Sequence, residues 1–395
     1  MRTVSKTVIG VDFGTQSARA VLVNAENGEI IYSCRKEYPY NSTPVPAIDC
    51  AENLPCATDY EMTLYELLRN VIPEEYRKTV AGICIDATSL TMVLLAEDGR
   101  ALSELDGWSE AAHARVKLWK YHRAQEKADE ALNLASNLQE PFLGRTGGSI
   151  SCEWMLPKLL EVRDEAPEIY SKIDLAMDLC EFLTFRLTGQ LVRSIGSLSY
   201  KCLWAEDLSF PERTFLNGLR AGFYEEYCHF LRADVRKPGE CAGMLRSELT
   251  KRWGLPEQIP VATGMLDGHT SLATMGAFEP GDAALIVGTS NVCTVQDRKL
   301  QELKDVCGVA QEGMVTGSCG IDTGQSSTGN MLGWFVEHMA GWQIHREAEE
   351  RKISPHQVLA ERIQKPWENK VIAVDWWSGS RNAPCDLTLR GSMSG

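Results

Sequence analysis

The sequence predicts a mixed α/β protein of two domains, and three observations carry this prediction. Short apolar strands open the chain, helical periodicity fills its middle, and a strand–turn–strand pattern with a Gly-Thr corner occurs twice, at residues 8–23 and 283–296. The length of 395 residues suits two or three domains. A return from helices to strands near residues 251–260 marks the expected boundary, which divides the chain into domains 1–256 and 257–395.

The opening of the chain has the pattern of consecutive strands joined by tight turns. Asn27-Gly28 is typical of a two-residue hairpin turn, and Asp98-Gly99 indicates another. An antiparallel start of this kind differs from a dinucleotide-binding unit, which begins with parallel strands. The predicted elements are strands at 7–13, 18–23, 29–33, 80–85 and 91–95, and a helix at 59–70.

Helices dominate the middle of the chain, and the pattern changes back beyond residue 259. Gly189 is expected to end one of these helices, because glycine readily adopts the left-handed conformation that follows a helix. The predicted helices are 115–138, 153–162 and 179–187. The predicted later elements are strands at 259–262, 283–287 and 291–296, a turn at 264–267, and helices at 270–275 and 327–338.

Charge and cysteine usage exclude several classes of protein. The chain has 54 acidic against 40 basic residues and a net charge of −14, which repels nucleic-acid backbones and anionic lipid. No apolar stretch approaches the roughly 18 residues that span a bilayer, and Asp12 interrupts the N-terminal apolar run, which argues against a signal peptide. The 13 cysteines are scattered without C-x-x-C spacing, which favours reduced thiols. We therefore expect a soluble cytoplasmic protein that binds neither nucleic acid nor membrane.

The two Gly-Thr corners predict a phosphate clamp. Gly14-Thr15 follows the first strand, and Gly288-Thr289 occupies the same place in the later repeat. Backbone N–H groups and hydroxyls at two such corners, one per domain, can form anion-binding nests that face each other across a cleft. Ordinary tight hairpins are the alternative. The pairing of the corners, with Asp12 ending the strand beside the first one, favours the clamp.

An ordered series of motifs extends over essentially the whole chain. The first is Asp12-Phe13-Gly14-Thr15-Gln16-Ser17-Ala18-Arg19. The others lie at 116–120, 151–158, 200–204, 264–269, 288–290, 324–326 and 375–381. This series resembles the FGGY carbohydrate kinases, and within them the ribulokinase branch. The resemblance implies an actin-like ATPase fold, with two ribonuclease-H-like α/β domains around a cleft, the second of them incomplete at its C-terminus.

The resemblance also implies a reaction and its cofactors. A sugar kinase of this type transfers the γ-phosphoryl group of ATP to the terminal hydroxyl of L-ribulose, or of D-ribulose, with Mg²⁺ and ATP as cofactors. Asp267 falls on the family's catalytic base, with a helix N-cap as the alternative role. Asp12 is suited to Mg²⁺ because that ion prefers oxygen ligands, and a turn-capping role is the alternative. His269 is interpreted as structural.

Further residues are assigned to the two substrates by their places in the motifs. The structural alternatives are a core tryptophan for Trp119, a solvated lysine for Lys201 and a surface salt bridge for Arg19. The residues assigned to the sugar are Ser89, Trp119, Lys201, Asp267 and Asp322. The residues assigned to the nucleotide and its phosphates are Gly14, Thr15, Gln16, Arg19, Gly288, Thr289, Ser290 and Gly329.

The sequence departs from the ribulokinase pattern at three places. Ser89 stands near an alanine of the family and Asp322 near a glutamate, so another pentulose such as xylulose stays open as the substrate. Family members continue past residue 391 into a segment that carries the adenosine site. A non-catalytic remnant that binds sugar without ATP is therefore the alternative from another class. Oligomeric state is also open, with a homodimer as one alternative.

Overall fold

The computed structural model describes residues 6–38, 54–119, 121–207, 209–288, 290–363, 371–382, 386 and 388–395. Its strands are β1 Thr7–Phe13, β2 Ser17–Asn24, β3 Ile30–Glu37, β4 Val80–Ala87, β5 Met92–Leu95, β6 Leu175–Asp178, β7 Val192–Ser194, β8 Asp234–Arg236, β9 Cys241–Met244, β10 Pro260–Ala262, β11 Met265–Leu266, β12 Ala283–Val287, β13 Asn291–Asp297, β14 Gly308–Gln311, β15 Cys319–Gln325, β16 Ile372–Val374 and β17 Ser392–Ser394.

The helices complete the element order. They are α1 Ala57–Val71, α2 Gln125–Leu138, α3 Met155–Glu165, α4 Pro167–Tyr170, α5 Leu179–Thr188, α6 Ile195–Lys201, α7 Arg213–Leu219, α8 Phe223–Phe230, α9 Ser247–Trp253, α10 Asp267–Met275, α11 Gly329–Met339, α12 Trp342–Arg351 and α13 Pro355–Arg362.

The first sheet has seven strands in the order β3-β2-β1-β4-β10-β9, with β11 beside β4. β1 pairs with β2 and β2 with β3 in antiparallel fashion, which confirms the predicted start. β4 pairs with β1 in parallel, so Asp12 and Asp86 lie opposite each other near the carboxyl ends of the two strands. Because β10 and β11 belong to this sheet, it continues past residue 256, where the domain boundary was predicted.

Two helices cover the first sheet as their sequences predict. α1 buries the stripe of Leu64, Leu67, Leu68 and Val71 against the strands. Asp178 is the N-cap of α5: its carboxylate accepts a hydrogen bond from the N–H of Cys180, and Glu181 completes the capping box. The helix ends at Gly189, whose φ of 72° is the left-handed conformation that favours glycine.

The helical middle forms a second core, and two predictions about it are wrong. The helix predicted over 115–138 begins only at Gln125, because the backbone of Lys117 makes two hydrogen bonds with Met92, of 2.8 and 3.1 Å. β5 was predicted to form a hairpin around Asp98-Gly99, but its ladder partner is β6. The turn itself forms, since the N–H of Ala96 donates to the carbonyl of Arg100 at 2.8 Å and the N–H of Gly99 donates to the carbonyl of Ala96 at 2.9 Å, but the pairing ends at a bridge between Leu95 and Ala101. Tertiary pairing overrode the local pattern in both places.

The second sheet is antiparallel, in the order β12-β13-β15-β14. β12 and β13 have the bounds predicted from the sequence to within a residue and meet at the second Gly-Thr corner. α6 of the first domain packs against β14. The hydroxyl of Tyr200 on α6 donates a 2.7 Å hydrogen bond to the carbonyl of Gly320 on β15, which joins the domains beneath the cleft.

Two further sequence expectations concerned disulfides and membrane-spanning helices. The thiols of the described cysteines are not joined in disulfides. Among the residues that the structure describes, none of the helices combines the length and apolar character needed to cross a bilayer.

Candidate active site

A cleft of about 660 Å³ lies between the two sheets, and most of the predicted site residues line it. From the first domain and the start of α10 these are Asp12, Gly14, Thr15, Arg19, Ser89, Trp119, Lys201 and Asp267. From the second sheet they are Gly288, Ser290 and Asp322. Gln16 and Gly329 lie outside this lining, and Thr289 falls outside the described residues.

Three carboxylates meet at the floor of the cleft because of the strand order. Asp12 lies near the end of β1, Asp86 lies beside it on β4, and Asp267 directly follows β11, which also pairs with β4. Carboxyl ends of parallel strands share one edge of a sheet, where ligands commonly bind. Sequence reasoning missed Asp86, although an aspartate directly after the predicted strand 80–85 was a usable signal.

Burial and mutual repulsion shift the acidity of these carboxylates. Burial raises the pKa of Asp267 to about 6, and the charge of Asp12 adds to the rise. The N–H of Gly268, at 2.7 Å, and the N–H of Ser89 act in the opposite direction by stabilising the charged form. Burial and the charges of Asp12 and Asp267 also raise the pKa of Asp86. The floor therefore concentrates negative charge that a bound cation would relieve.

This donor set fits Mg²⁺. Among the described residues, no three His, Cys, Asp or Glu side chains form a ready-made metal cage. Mg²⁺ usually takes only one or two protein carboxylates and completes its shell with water and substrate phosphates. Asp12 and Asp86 are adjacent in register, and the charge of Asp12 helps to raise the pKa of Asp86, so the pair matches that requirement.

Residues of both domains form one wall of the cleft. Lys201, at the end of α6, places its Nζ 3.6 Å from Oδ2 of Asp322 on β15. Nε2 of the buried His269 lies 3.7 Å from the same oxygen. Burial alone would raise the pKa of Asp322, but His269 and Lys201 hold it below its usual range. Lys201 is thus paired and largely buried, which contradicts the alternative of a solvated lysine.

Trp119 lies outside any helix, is only partly buried and lines the cleft, which contradicts the alternative of a core tryptophan. Its Nε1 donates a 3.0 Å hydrogen bond to Oγ1 of Thr15. The guanidinium of Arg381 lies 5.0 Å from the ring centroid, in a cation–π contact. Trp119 therefore connects the predicted sugar residues with the predicted phosphate residues.

Arg381 and Glu153 complete this wall and were missed by sequence reasoning. Nη2 of Arg381 lies 3.2 Å from Oε1 of Glu153, and Nε2 of His122 lies 3.2 Å from the same oxygen. Burial alone would raise the pKa of Glu153, but Arg381 and His122 lower it to about 2, so it stays charged. Both residues lie in the quoted motifs 151–158 and 375–381, yet their contact joins positions 228 apart in sequence.

The phosphate corners differ from the predicted pair of N–H nests. The N–H of Gly14 donates to the carbonyl of Ser17 at 3.1 Å, and that of Gly288 donates to the carbonyl of Ser290 at 3.0 Å. These two donors are used inside their own turns. Hydroxyls remain: Oγ1 of Thr15 accepts from Trp119 and keeps its own proton to donate.

Arg19 and Gly329 were both predicted to bind the nucleotide or its phosphates, but only Arg19 lines the cleft. Arg19 is exposed, lines the cleft, and makes no ion pair with another described residue, so the surface salt bridge considered for it is not found. Gly329 begins α11 and donates its N–H to the carbonyl of Gly288 at 3.0 Å. This hydrogen bond thus holds the backbone of Gly288 in the second corner.

Known sequences similar to this chain are carbohydrate kinases. The family model described as "FGGY family of carbohydrate kinases, N-terminal domain" matches residues 7–274. The ribulokinase of Mycolicibacterium smegmatis is 35% identical over 402 residues, and that of Halalkalibacterium halodurans is 32% identical over 401 residues. Each match covers 99% of this chain and 71% of the relative.

Solved structures of sugar and glycerol kinases share the fold. A ligand-bound xylulose kinase from Lactobacillus acidophilus matches with a TM-score of 0.76 at 18% identity, over 99% of this chain and 72% of that one. Glycerol kinase from Plasmodium falciparum with ADP matches with a TM-score of 0.75 at 16% identity, over 99% and 73%. These matches confirm the predicted α/β architecture. The chain belongs to the FGGY family of carbohydrate kinases, and the class of enzyme predicted from its motifs, an ATP-dependent sugar kinase, is confirmed with it.

Proposed function

We propose that the cleft binds ATP and a pentulose and transfers the γ-phosphoryl group to the terminal hydroxyl of ribulose, giving ribulose 5-phosphate. The observation that carries this proposal is the position of Asp267. Its buried carboxylate lines the same cleft as the Lys201–Asp322 pair and the Gly14-Thr15 corner. A sugar hydroxyl held by the pair thus has a base beside it and a phosphate site within the same cavity.

Asp267 acts as the general base. Its carboxylate takes the proton of the terminal hydroxyl while that oxygen bonds to the γ-phosphorus, and ADP leaves with the electrons of the broken P–O bond. A pKa of about 6 keeps the carboxylate largely deprotonated at neutral pH and raises its basicity above that of an ordinary aspartate. The proton then passes from Asp267 to water after the product departs.

Asp12 and Asp86 hold Mg²⁺ in this proposal. When bound, the ion neutralises charge on the phosphate oxygens during transfer. The chain's own residues bring the phosphates to it: the Thr15 hydroxyl and the Arg19 guanidinium act from the first corner, and Gly288 and Ser290 face them from the second sheet. This arrangement supports positioning and charge neutralisation as the main sources of catalysis.

The sugar is held by Ser89, Trp119, Lys201 and Asp322. The ammonium of Lys201 and the carboxylate of Asp322 offer a donor and acceptors to an open-chain polyol, and the Trp119 ring offers an apolar face. Ribulose is favoured over other pentuloses because the relatives from Mycolicibacterium smegmatis and Halalkalibacterium halodurans, at 35% and 32% identity, are named ribulokinases. Ser89 and Asp322 are the positions at which specificity is expected to differ from theirs.

A substrate panel tests this proposal. The chain is mixed with Mg²⁺-ATP and L-ribulose, D-ribulose, xylulose or glycerol, and ADP release is followed by a coupled assay. We expect the highest kcat/KM with ribulose. A preference for xylulose would move the assignment to another pentulose kinase, and ribulose binding without any ATP binding would support the non-catalytic remnant.

A further inference from the structure

A strained loop beside the predicted base is held from both sides by two buried ionisable side chains. The loop, residues 88–91, connects β4 to β5 and includes Ser89, which lines the cleft. The next residue, Leu90, has a φ of 46° although it is not glycine. A side chain with a Cβ disfavours this left-handed conformation, so the surrounding structure must impose it.

Two side chains restrain Leu90 through its backbone. The Nζ of Lys158 on α3 donates a 2.9 Å hydrogen bond to the carbonyl of Leu90. Oδ2 of Asp178, at the end of β6, accepts a 2.8 Å hydrogen bond from the N–H of Leu90. Both side chains are completely buried. Donor and acceptor of one peptide residue are thus fixed by two different elements of the first domain.

Lys158 also contacts the backbone next to Trp119, another residue predicted to bind the sugar. Its Nζ donates a second 2.9 Å hydrogen bond to the carbonyl of Leu118, the residue before Trp119. Within the described residues Lys158 has no carboxylate at ion-pair distance, which is unusual for a buried lysine. Burial lowers its pKa to about 7, and a neutral amine still has two N–H donors for these two carbonyls.

The hydrogen bonds of Lys158 and Asp178 to Leu90, which we call the Leu90 clamp, also affect Asp267. The N–H of Ser89, one residue before the strained position, stabilises the charged carboxylate of Asp267. A change in the backbone at Leu90 would rotate that N–H and move the Ser89 hydroxyl in the cleft. The loop is further tied by the hydrogen bond between the hydroxyls of Thr88 and Thr91, at 2.8 Å.

We propose that Lys158 and Asp178 are positioning residues that hold the 88–91 loop in its strained form, so that Ser89 faces Asp267 and the sugar. Lys158 simultaneously fixes the backbone next to Trp119. This inference rests on the proposed pentulose site, because it assigns the clamp a role in binding that sugar. Neither residue touches the substrate, so the effect of each must pass through Ser89 and Trp119.

Calorimetric titration with L-ribulose tests the proposal on Lys158→Met, with Lys117→Met as the matched control. Lys117 is the other fully buried lysine of this region, but its Nζ contacts Glu161 and Tyr121 and not the loop. We expect Lys158→Met to weaken ribulose binding by about 10- to 100-fold and to leave nucleotide binding unchanged. Lys117→Met should lower the melting temperature while its ribulose Kd stays within about twofold of wild type. Equal ribulose affinity in wild type and Lys158→Met, or equal weakening in both variants, would overturn the clamp.

Amide hydrogen exchange on the unaltered chain keeps the proposal testable if Lys158→Met does not fold. We expect the amides of Ser89 and Leu90 to exchange as slowly as that of Ile85 in β4, although they lie in a loop. Exchange at the rate of an open loop would contradict the clamp. If wild type fails to bind ribulose but these amides are protected, the proposed function fails and the restraint on the loop stands.

Discussion

The two domains differ in how completely they bury their apolar residues. In the first, Ile9 and Phe13 of the central strand are 1% and 0% exposed. In the second, Leu285 and Val287 of the edge strand β12 are 56% and 68% exposed, and Trp334 on α11 is 52% exposed. The first domain is therefore stabilised by its own core, whereas the described part of the second has only a thin one.

The same asymmetry applies to the cleft. Asp12 and Asp86 lie on strands of the well-packed first sheet, and Asp267 directly follows another of its strands. The second sheet supplies Asp322 and the second Gly-Thr corner. Reacting groups need to be held within fractions of an ångström, and rigid elements achieve this better than loosely packed ones. In the proposed function, the first sheet therefore supplies the base and the magnesium carboxylates, whereas the second sheet supplies part of the sugar and phosphate contacts.

The largest effect is expected from removing the base on the first sheet. Asp267→Asn keeps the side-chain shape but cannot accept the hydroxyl proton, so kcat should fall by about 10³-fold. Steady-state ADP release measures this, with Asp129→Asn on the exposed face of α2 as the matched control. A kcat within tenfold of wild type would remove Asp267 from the role of base.

A pair of leucine truncations measures the difference in packing. Leu64→Ala on α1, at a fully buried site, should lower the free energy of unfolding by about 3 kcal/mol. Leu332→Ala on α11, 49% exposed, should change it by less than about 1 kcal/mol. Guanidinium unfolding of both variants gives the comparison. Equal losses would mean that the apolar face of α11 is covered in solution.

A smaller, selective effect is expected at the second sheet. Asp322→Asn removes the charge that pairs with Lys201 and His269, so the KM for ribulose should rise by about tenfold while kcat changes less. Initial rates at varied ribulose concentration separate the two constants. A loss of kcat as large as that of Asp267→Asn, with KM unchanged, would mean that the second domain takes part in the chemistry.

The pH dependence of turnover is expected to be modest and to have a definite sign. Asp267 works as a base only when deprotonated, and its pKa is raised to about 6. Turnover should therefore rise with pH, reach half its maximum near pH 6 and level off above about pH 7. A kcat profile from pH 5 to 8 shows this, with Asp322→Asn expected to keep the same midpoint. A profile that is flat down to pH 5 would contradict the raised pKa.

Local patterns were sufficient for the elements whose neighbours lie close in sequence. The hairpin strands β1 to β3, the stripe on α1 and the Gly189 end of α5 were predicted to within a few residues. The start of α2 was not, because the Met92–Lys117 bridge joins segments that periodicity treats separately. Long-range pairing also explains why the domain boundary was predicted near residue 256. In sequence, β10 and β11 look like the beginning of a new unit, but in the structure both pair with β4.

The residues of the candidate site also divide into those that local motifs indicate and those that only long-range contacts reveal. Asp12, Gly14 and Asp267 lie in continuous motifs, and the resemblance of those motifs to the FGGY family is what singled out Asp267 as the predicted base. Asp86 was missed although it directly follows a predicted strand, and its register with Asp12 places it in the site. The Arg381–Glu153 pair became visible only through a contact between distant segments. The N–H groups of the two corners could not be assessed from sequence, because their use inside the turns depends on the backbone geometry.

Calorimetric titration of the chain with L-ribulose and with Mg²⁺-ATP tests the central claim most directly, because the proposed reaction requires that one cleft hold both. We expect wild type and Asp267→Asn each to bind both ligands, while only wild type releases ADP when they are combined. Absence of ribulose binding to wild type, or equal ADP release by the two proteins, would contradict the claim.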